Sequence, residues 1–417
     1  MGRKLRFCMI TTFYPPHNFG GDGIFVHRLS RELARRGHQV EVIHCTDAYR
    51  LLARREPVPD DDGDPNLIVH RLASPVGLLS PLATQQTGLP LFKSKPIKRI
   101  LARGFDVIHF HNVSLVGGPR VLAYGQGIKL YTLHEYWLLC PVHTLFKYDQ
   151  APCTQPHCLP CTLFHRRPPQ WWRYSSLLRE SLKHVDVFIA PSEFIMRQHR
   201  QMGLALPIVH LPHFVPEPRD AEASGLGPLP AEPYFLFVGR LERTKGLHTL
   251  IPVFRRYRKA RLLVVGSGRH EAQLRRLAAG CPNIEFLGYQ SHQRLDALYR
   301  QAVALLVPSI WYEVVGQVIV EAFAHQTPVI ARNIGGMPEV VRESGGGVLY
   351  DTDDQLPALL ERLVEDPTAR QTMGRRGYDA YRRNWTAEVH LERYLALIRD
   401  TAAACGRSLP ADSGPGD

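Results

Sequence analysis

YFLFVGRLERTKGLHTLIPVFRRYRKARLLVVGSG, residues 234–268, decides the fold. The apolar run YFLFV ends in a glycine, and a polar turn with Arg240 and Lys245 follows. LHTLIPVFRRYR then carries apolar residues at helical spacing, and ARLLVV is apolar again before GSG. Unbroken apolar strands alternating with helices form mostly parallel sheets covered on both faces. The unit repeats downstream: IEFLGY, VALLVPS and PVIAR read as strands, with EAQLRRLA, QRLDALYRQA and GQVIVEAFAHQ as helices. Upstream, LRFCMITT, QVEVIHC, DVIHFHN, IKLYTLHE and DVFIAPS read as strands, the first two joined by a glycine turn and an amphipathic helix.

The expected architecture is therefore α/β, with two Rossmann-like doubly wound domains facing across a cleft. Residues 1–215 form the first and 233–385 the second. A Pro- and Gly-rich linker occupies 216–232, a C-terminal helix at 386–405 packs back on the first domain, and 406–417 is a disordered tail. A chain of 417 residues is too long for one comfortable core. No apolar run reaches membrane-spanning length. The N-terminal apolar run reads as a strand rather than a leader, so a cytoplasmic protein is expected.

In such sheets ligands bind beyond the carboxyl ends of the strands. Arg240 and Lys245 sit at such an end, before a helix, and two cations there suit a diphosphate; surface charge is the plainer reading. Gly266 and Gly268 form another strand-end turn, without the third glycine of a dinucleotide fingerprint. Glu313 and Glu321 flank the start of the helix GQVIVEAFA, and both can accept hydrogen bonds from sugar or ribose hydroxyls. The backbone N–H groups around Val315, Gly316 and Gln317 face the same place. The plainer reading has Glu321 pairing within its helix and Glu313 solvated.

These motifs in order resemble family 4 glycosyltransferases: GGDGIFVHRLSRELARRGHQVEVI, VGRLERTKG, GSG, PS followed by E-x7-E, EAFA, TPVIA and GG. The resemblance covers about 5–345 and implies the GT-B fold and a retaining transferase using a nucleotide-diphosphate sugar. It implies that Arg240 and Lys245 hold the diphosphate, Glu321 the ribose, and Glu313 the sugar hydroxyls. It also implies that Gly21 brings its N–H to the distal phosphate, and that His134, in TLHEYW, lies beside the donor sugar; a core histidine is the plainer reading. The sequence departs from the family at Val314-Val315, where Gly-Phe is usual, at Gln326 for glycine and at Glu135 for aspartate. No catalytic metal or organic cofactor is expected, because cations and backbone N–H groups can meet the leaving group's charge.

Cys140, Cys153, Cys158 and Cys161 follow HEYW, and four thiols ending in C-x2-C can complete a tetrahedral structural zinc site. Free or redox-active thiols are the alternative. Residues 1–215 carry 26 Lys+Arg against 15 Asp+Glu, a net of +11 within the chain's +12. That asymmetry, Trp171 and Trp172 among arginines, and the basic stretch KSKPIKRILARGF suit an anionic or membrane-borne partner. The expected partners are a nucleotide sugar and a glycan, lipid-linked or small-molecule acceptor, with peripheral contact at the inner membrane face. A sugar-nucleotide epimerase or phosphorylase of the same fold is one alternative. A basic, zinc-containing nucleic-acid-binding protein is another, but it leaves the glycine turns and paired glutamates without a role, so no nucleic acid is expected.

Overall fold

The computed structural model describes residues 4–53, 64–218 and 229–409. Most of the acidic loop DDDGD, much of the expected linker and the end of the expected tail lie outside these residues. The first lobe contains β1 Arg6–Ile10, β2 Gln39–Cys45, β3 Leu67–Leu72, β4 Val107–Phe110, β5 Ile128–Thr132, β8 Val187–Ala190 and β9 Ile208–His210, with a small hairpin of β6 Phe146–Lys147 and β7 Ala151–Pro152. The second contains β10 Tyr234–Val238, β11 Arg261–Val265, β12 Ile284–Gly288, β13 Ala304–Val307, β14 Val329–Arg332 and β15 Gly347–Tyr350. The large sheets run β3-β2-β1-β4-β5-β8-β9 and β12-β11-β10-β13-β14-β15, and every pairing in both is parallel.

Helices supply the crossovers. In the first lobe they are α1 Gly21–Arg35, α2 Thr46–Leu52, α3 Leu79–Thr87, α4 Ser94–Leu101, α5 Cys158–Phe164, α6 Leu177–Leu182 and α7 Glu193–Gln201. In the second they are α8 Leu247–Arg256, α9 Glu271–Leu277, α10 His292–Gln301, α11 Gln317–Ala324, α12 Met337–Ser344, α13 Leu356–Glu365 and α14 Pro367–Asn384. The last, α15 Ala387–Ala404, returns to the first lobe. Its Leu391, Tyr394 and Ile398 are buried in the cluster that holds Phe7, Phe25 and Leu130, and Tyr394 Oη lies 2.9 Å from His109 Nδ1.

The central strands were legible because each is a continuous apolar run, as burial on both faces requires. β3, β9 and β15 were not: they are edge strands with short or half-exposed runs, while the fourth edge strand, β12, was read because IEFLG is still mostly apolar. Each sheet reverses its strand order once, between β1 and β4 and between β10 and β13. At these two points the loops after adjacent strands part, and a ligand can enter between them.

Candidate active site

In the second lobe the reversal is lined by residues 239–246, after β10, and 308–316, after β13. Gly246 ties the two loops together. Its φ of +74° and the approach of Pro308 O, 1.9 Å from where a Cβ would stand, leave room only for glycine. Across that contact Lys245 Nζ meets Glu313 Oε1 at 2.6 Å. Ser309 Oγ donates to the same oxygen at 2.7 Å and Trp311 Nε1 at 2.8 Å. All three bonds fall on Oε1, and Oε2 takes none of them. Burial alone would push the Glu313 carboxyl up, but the Lys245 ammonium and the donated bonds outweigh it, so Glu313 is held below the usual carboxylate range. Glu313 is thus buried and anchored rather than solvated.

Arg240 lies exposed at the end of β10, on the same loop as Lys245. Gly268 packs the GSG turn onto this loop, with its Cβ position 2.5 Å from Leu241 O, so its first role is structural. The loop after β13 delivers Val315 and Gly316 to the start of α11, whose N-terminus has no side-chain cap. Its first N–H groups are therefore offered to the cleft, where an anion is favoured. Glu321, in the second turn, is contacted at 3.4 Å both by Arg28 Nη2 and by Tyr299 Oη.

The first lobe brings its own uncapped helix to the same place. Gly21 opens α1 after Gly20, and a Cβ on Gly21 would stand 3.0 Å from Gln317 Oε1. Gln317 Nε2 also reaches His213 Nδ1 at 3.3 Å. Ser192 Oγ donates to Val314 O at 2.5 Å, so the two lobes meet directly beside the site.

His134 follows β5 and is half-buried against the buried His111 and His213. Its Nε2 lies 2.9 Å from His111 Nδ1, its ring centroid is 4.9 Å from that of His213, and its Nδ1 is buried without a partner. Burial lowers His134 to about 4, with Asp22 opposing, and lowers His111 and His213 well below the ordinary value. These rings are neutral at physiological pH. A neutral His134 keeps one ring N–H and one bare nitrogen, so it can position a hydroxyl but is not a cationic acid.

The sequence reading did not single out Arg28, Ser309, Trp311, Tyr299, His111 or His213. Two of them carry a sequence signal: Ser309 and Trp311 lie within four residues of Glu313, inside the quoted motif. Arg28 also lies inside a quoted motif, GGDGIFVHRLSRELARRGHQVEVI, but an arginine on an amphipathic helix reads as surface, whereas its Nη1 is buried without a partner.

None of the four clustered cysteines is in a disulfide. Cys158 and Cys161 lie one turn apart on α5, Cys153 directly follows the hairpin, and the Tyr148 N–H donates to Cys161 Sγ at 3.5 Å. Burial and then the neighbouring Cys140, Cys158 and Cys161 push the Cys153 thiol up. Among the described residues no three His, Cys, Asp or Glu side chains are gathered as a metal-holding group. The hairpin reaches the second lobe, where Arg243 Nε donates to Asp149 O at 3.2 Å, two residues from Lys245. Asp353 pairs with Arg332 at 2.5 Å.

Comparison with known proteins places two family models end to end on the chain. The one described as Glycosyltransferase Family 4 matches residues 19–219, and Glycosyl transferases group 1 matches 219–380. A GDP-mannose-dependent monoacylated alpha-(1-6)-phosphatidylinositol monomannoside mannosyltransferase from Corynebacterium glutamicum is 32% identical over 53% of this chain and 64% of its own length, short of two thirds. A D-inositol 3-phosphate glycosyltransferase from Pseudarthrobacter chlorophenolicus is 27% identical over 91% of each chain. Among solved structures, sucrose-phosphate synthase from Thermosynechococcus elongatus shares the fold, with a TM-score of 0.74 over 96% of this chain and 100% of that one, at 23% identity.

Proposed function

The chain belongs to the family 4 glycosyltransferases, and from that premise we propose that it moves a sugar from a UDP- or GDP-linked donor to a hydroxyl of a glycan, lipid-linked or small-molecule acceptor, with retention at the anomeric carbon. One observation carries the reading. Lys245 and Glu313 are clamped together at the strand reversal of the second lobe, opposite the uncapped N-terminus of α1. A cation, a carboxylate and free backbone donors in one cleft suit a ligand that carries both phosphate and hydroxyl groups.

When the glycosidic bond breaks, negative charge develops on the terminal phosphate of the leaving nucleotide. Lys245 and Arg240 meet that charge, with the α11 N-terminus and the Gly21 N–H adding partial positive charge. Glu313 holds Lys245 through Oε1 and receives a sugar hydroxyl on Oε2. Glu321 exchanges its long contacts with Arg28 and Tyr299 for the ribose hydroxyls. His134 offers its unpartnered Nδ1 to the sugar or the acceptor.

A panel of UDP- and GDP-sugars tests this by thermal shift and by release of the nucleoside diphosphate. At least one donor should raise the melting temperature and turn over, and Lys245→Ala should lower kcat about 10²- to 10³-fold, as loss of a transition-state donor does. NMR of the product's anomeric proton checks retention. Absence of any shift or turnover across the panel would overturn the reading.

We further propose that Cys140, Cys153, Cys158 and Cys161 hold a structural zinc that orders the loop beside Arg243. Support comes from Cys140, Cys158 and Cys161 lying near enough to Cys153 to act on its thiol, and from the backbone. Among the described residues, four of the six non-glycine residues with left-handed φ fall in this loop, His143, Leu145, Tyr148 and Asp149, and a fifth, Arg166, follows α5 directly after it. Such conformations persist only where surrounding structure holds them. Metal binding would draw the thiolates together and shift their protons to solvent. Metal analysis of purified protein should find one zinc per chain, reduced in Cys158→Ser; metal-free wild type removes the idea.

A further inference from the structure

We propose that the first lobe docks on an anionic phospholipid surface through a face built from α3, α5 and the turn at Trp171–Tyr174. Large apolar side chains stand out of this face: Leu79 on α3 is 64% exposed, Leu163 on α5 56%, Trp171 58% and Tyr174 66%. The elements are contiguous. Trp172 Nε1 donates to Gln85 O at 2.9 Å, while the Gln85 and Gln86 amides donate to Pro168 O and Pro169 O, each at 2.9 Å. Leu159 and Tyr174 line one groove of about 250 Å³ between α5 and the turn. Large apolar groups gathered on one face mark an interaction site, whereas isolated ones need no explanation.

The charge pattern identifies the partner. Residues 65–105 contain six Lys+Arg and no Asp or Glu, and residues 150–179 contain four Lys+Arg and no Asp or Glu; all of these cations are exposed except Lys93, which is buried beside Asp47, and Arg173, which is half-buried. The chain has 39 acidic residues in 417, so two acid-free stretches of this length on neighbouring elements are not the mixed charge of an ordinary solvated face. α4 buries Ile97, Ile100 and Leu101 and turns Lys95, Lys98 and Arg99 outward, so it contributes cations rather than an apolar face. Exposed Trp and Tyr beside clustered Arg and Lys match a headgroup region, where aromatic rings enter and cations stay with phosphate. Among the described residues no helix is long and apolar enough to cross a membrane, and the contact proposed is a surface one. Its readout is binding, so it stands or falls apart from the reaction proposed above.

The test uses the full chain with vesicles of phosphatidylcholine alone or doped with phosphatidylglycerol. Co-flotation should occur with the anionic vesicles and fall as salt rises. Brominated lipid should quench fluorescence, and Trp171→Phe should remove most of that quench, because Trp137, Trp172 and Trp385 are buried and the half-buried Trp311 sits in the second lobe beside Glu313. Lys95→Glu with Arg99→Glu should lower the partition coefficient about tenfold or more. Leu79→Ser with Leu163→Ser should lower both partition and quench. All four positions are exposed, and an unchanged far-UV spectrum checks the fold. Failure to float with anionic vesicles overturns the proposal. So does flotation that none of these changes weakens, or a dimer in solution that Trp171→Ala dissolves, since that would make the face an interface between copies of the chain.

Discussion

At the scale of residues, the Lys245–Glu313 pair has consequences beyond turnover. Lys245→Ala leaves a buried carboxylate with only Ser309 and Trp311 as donors, which should cost about 1–3 kcal/mol. Pairing it with Glu313→Gln should recover part of that stability but none of the activity. Urea denaturation of the single and double variants measures the difference. Glu313 is held below its ordinary 4.5, so its stabilising contribution is full above that pH and is lost as the pH falls below it. Gln326 offers the opposite case. It follows α11 with φ +58°; its N–H bonds Phe323 O, and the Thr327 N–H bonds Ala322 O, which together close the helix in a left-handed turn that favours glycine. Gln326→Gly, restoring the residue usual in the family, should stabilise by roughly 0.5–1 kcal/mol. A lowered melting temperature would contradict that.

At the scale of elements, the site depends on two helices, α1 and α11, that start after a glycine with no side-chain cap and meet across the lobes. A methyl on Gly21 would press on the end of the Gln317 side chain, which can rotate away. Gly21→Ala should therefore leave the fold intact while weakening donor binding, because the new Cβ and the displaced amide both intrude on the phosphate position. A rise in KM for donor of about tenfold, with the melting temperature unchanged, is the expected result. α15 is the other decisive element. It buries Leu391, Tyr394 and Ile398 against the first sheet, each worth about 1.5–3 kcal/mol. A chain that stops at Thr386 should lose the cooperative unfolding of the first lobe, as a calorimetric scan would reveal.

At the scale of the whole molecule, buried histidines set the acid limit. His134, His199 and His390 are lowered to about 4 and His44 to about 3, in each case chiefly by burial, while His109, His111 and His213 lie well below 6.5. Each is neutral when folded but takes a proton when unfolded, so the unfolded state binds more protons as the pH drops. Stability is full above about 6.5 and falls by up to about 1.4 kcal/mol per pH unit per histidine as the pH drops toward the folded values. The melting temperature should therefore decline steeply between pH 7 and pH 5. A flat profile over that range would mean these rings are not buried as described.

The sequence by itself determined the strand–helix alternation, the two lobes and the strand-end motifs, because a strand buried on both faces must be apolar throughout and a cation or glutamate at its end stands out. It named Lys245 and Glu313, but as separate contacts with a ligand. Only the tertiary structure paired them, since they lie 68 positions apart and meet only where the sheet reverses its order. It also decided that Gly21 faces Gln317, that Arg28 faces Glu321 and that His134 lies among buried histidines. Those contacts join strands and lobes distant in the chain, and periodicity records which face a residue takes but not which residue it will meet there.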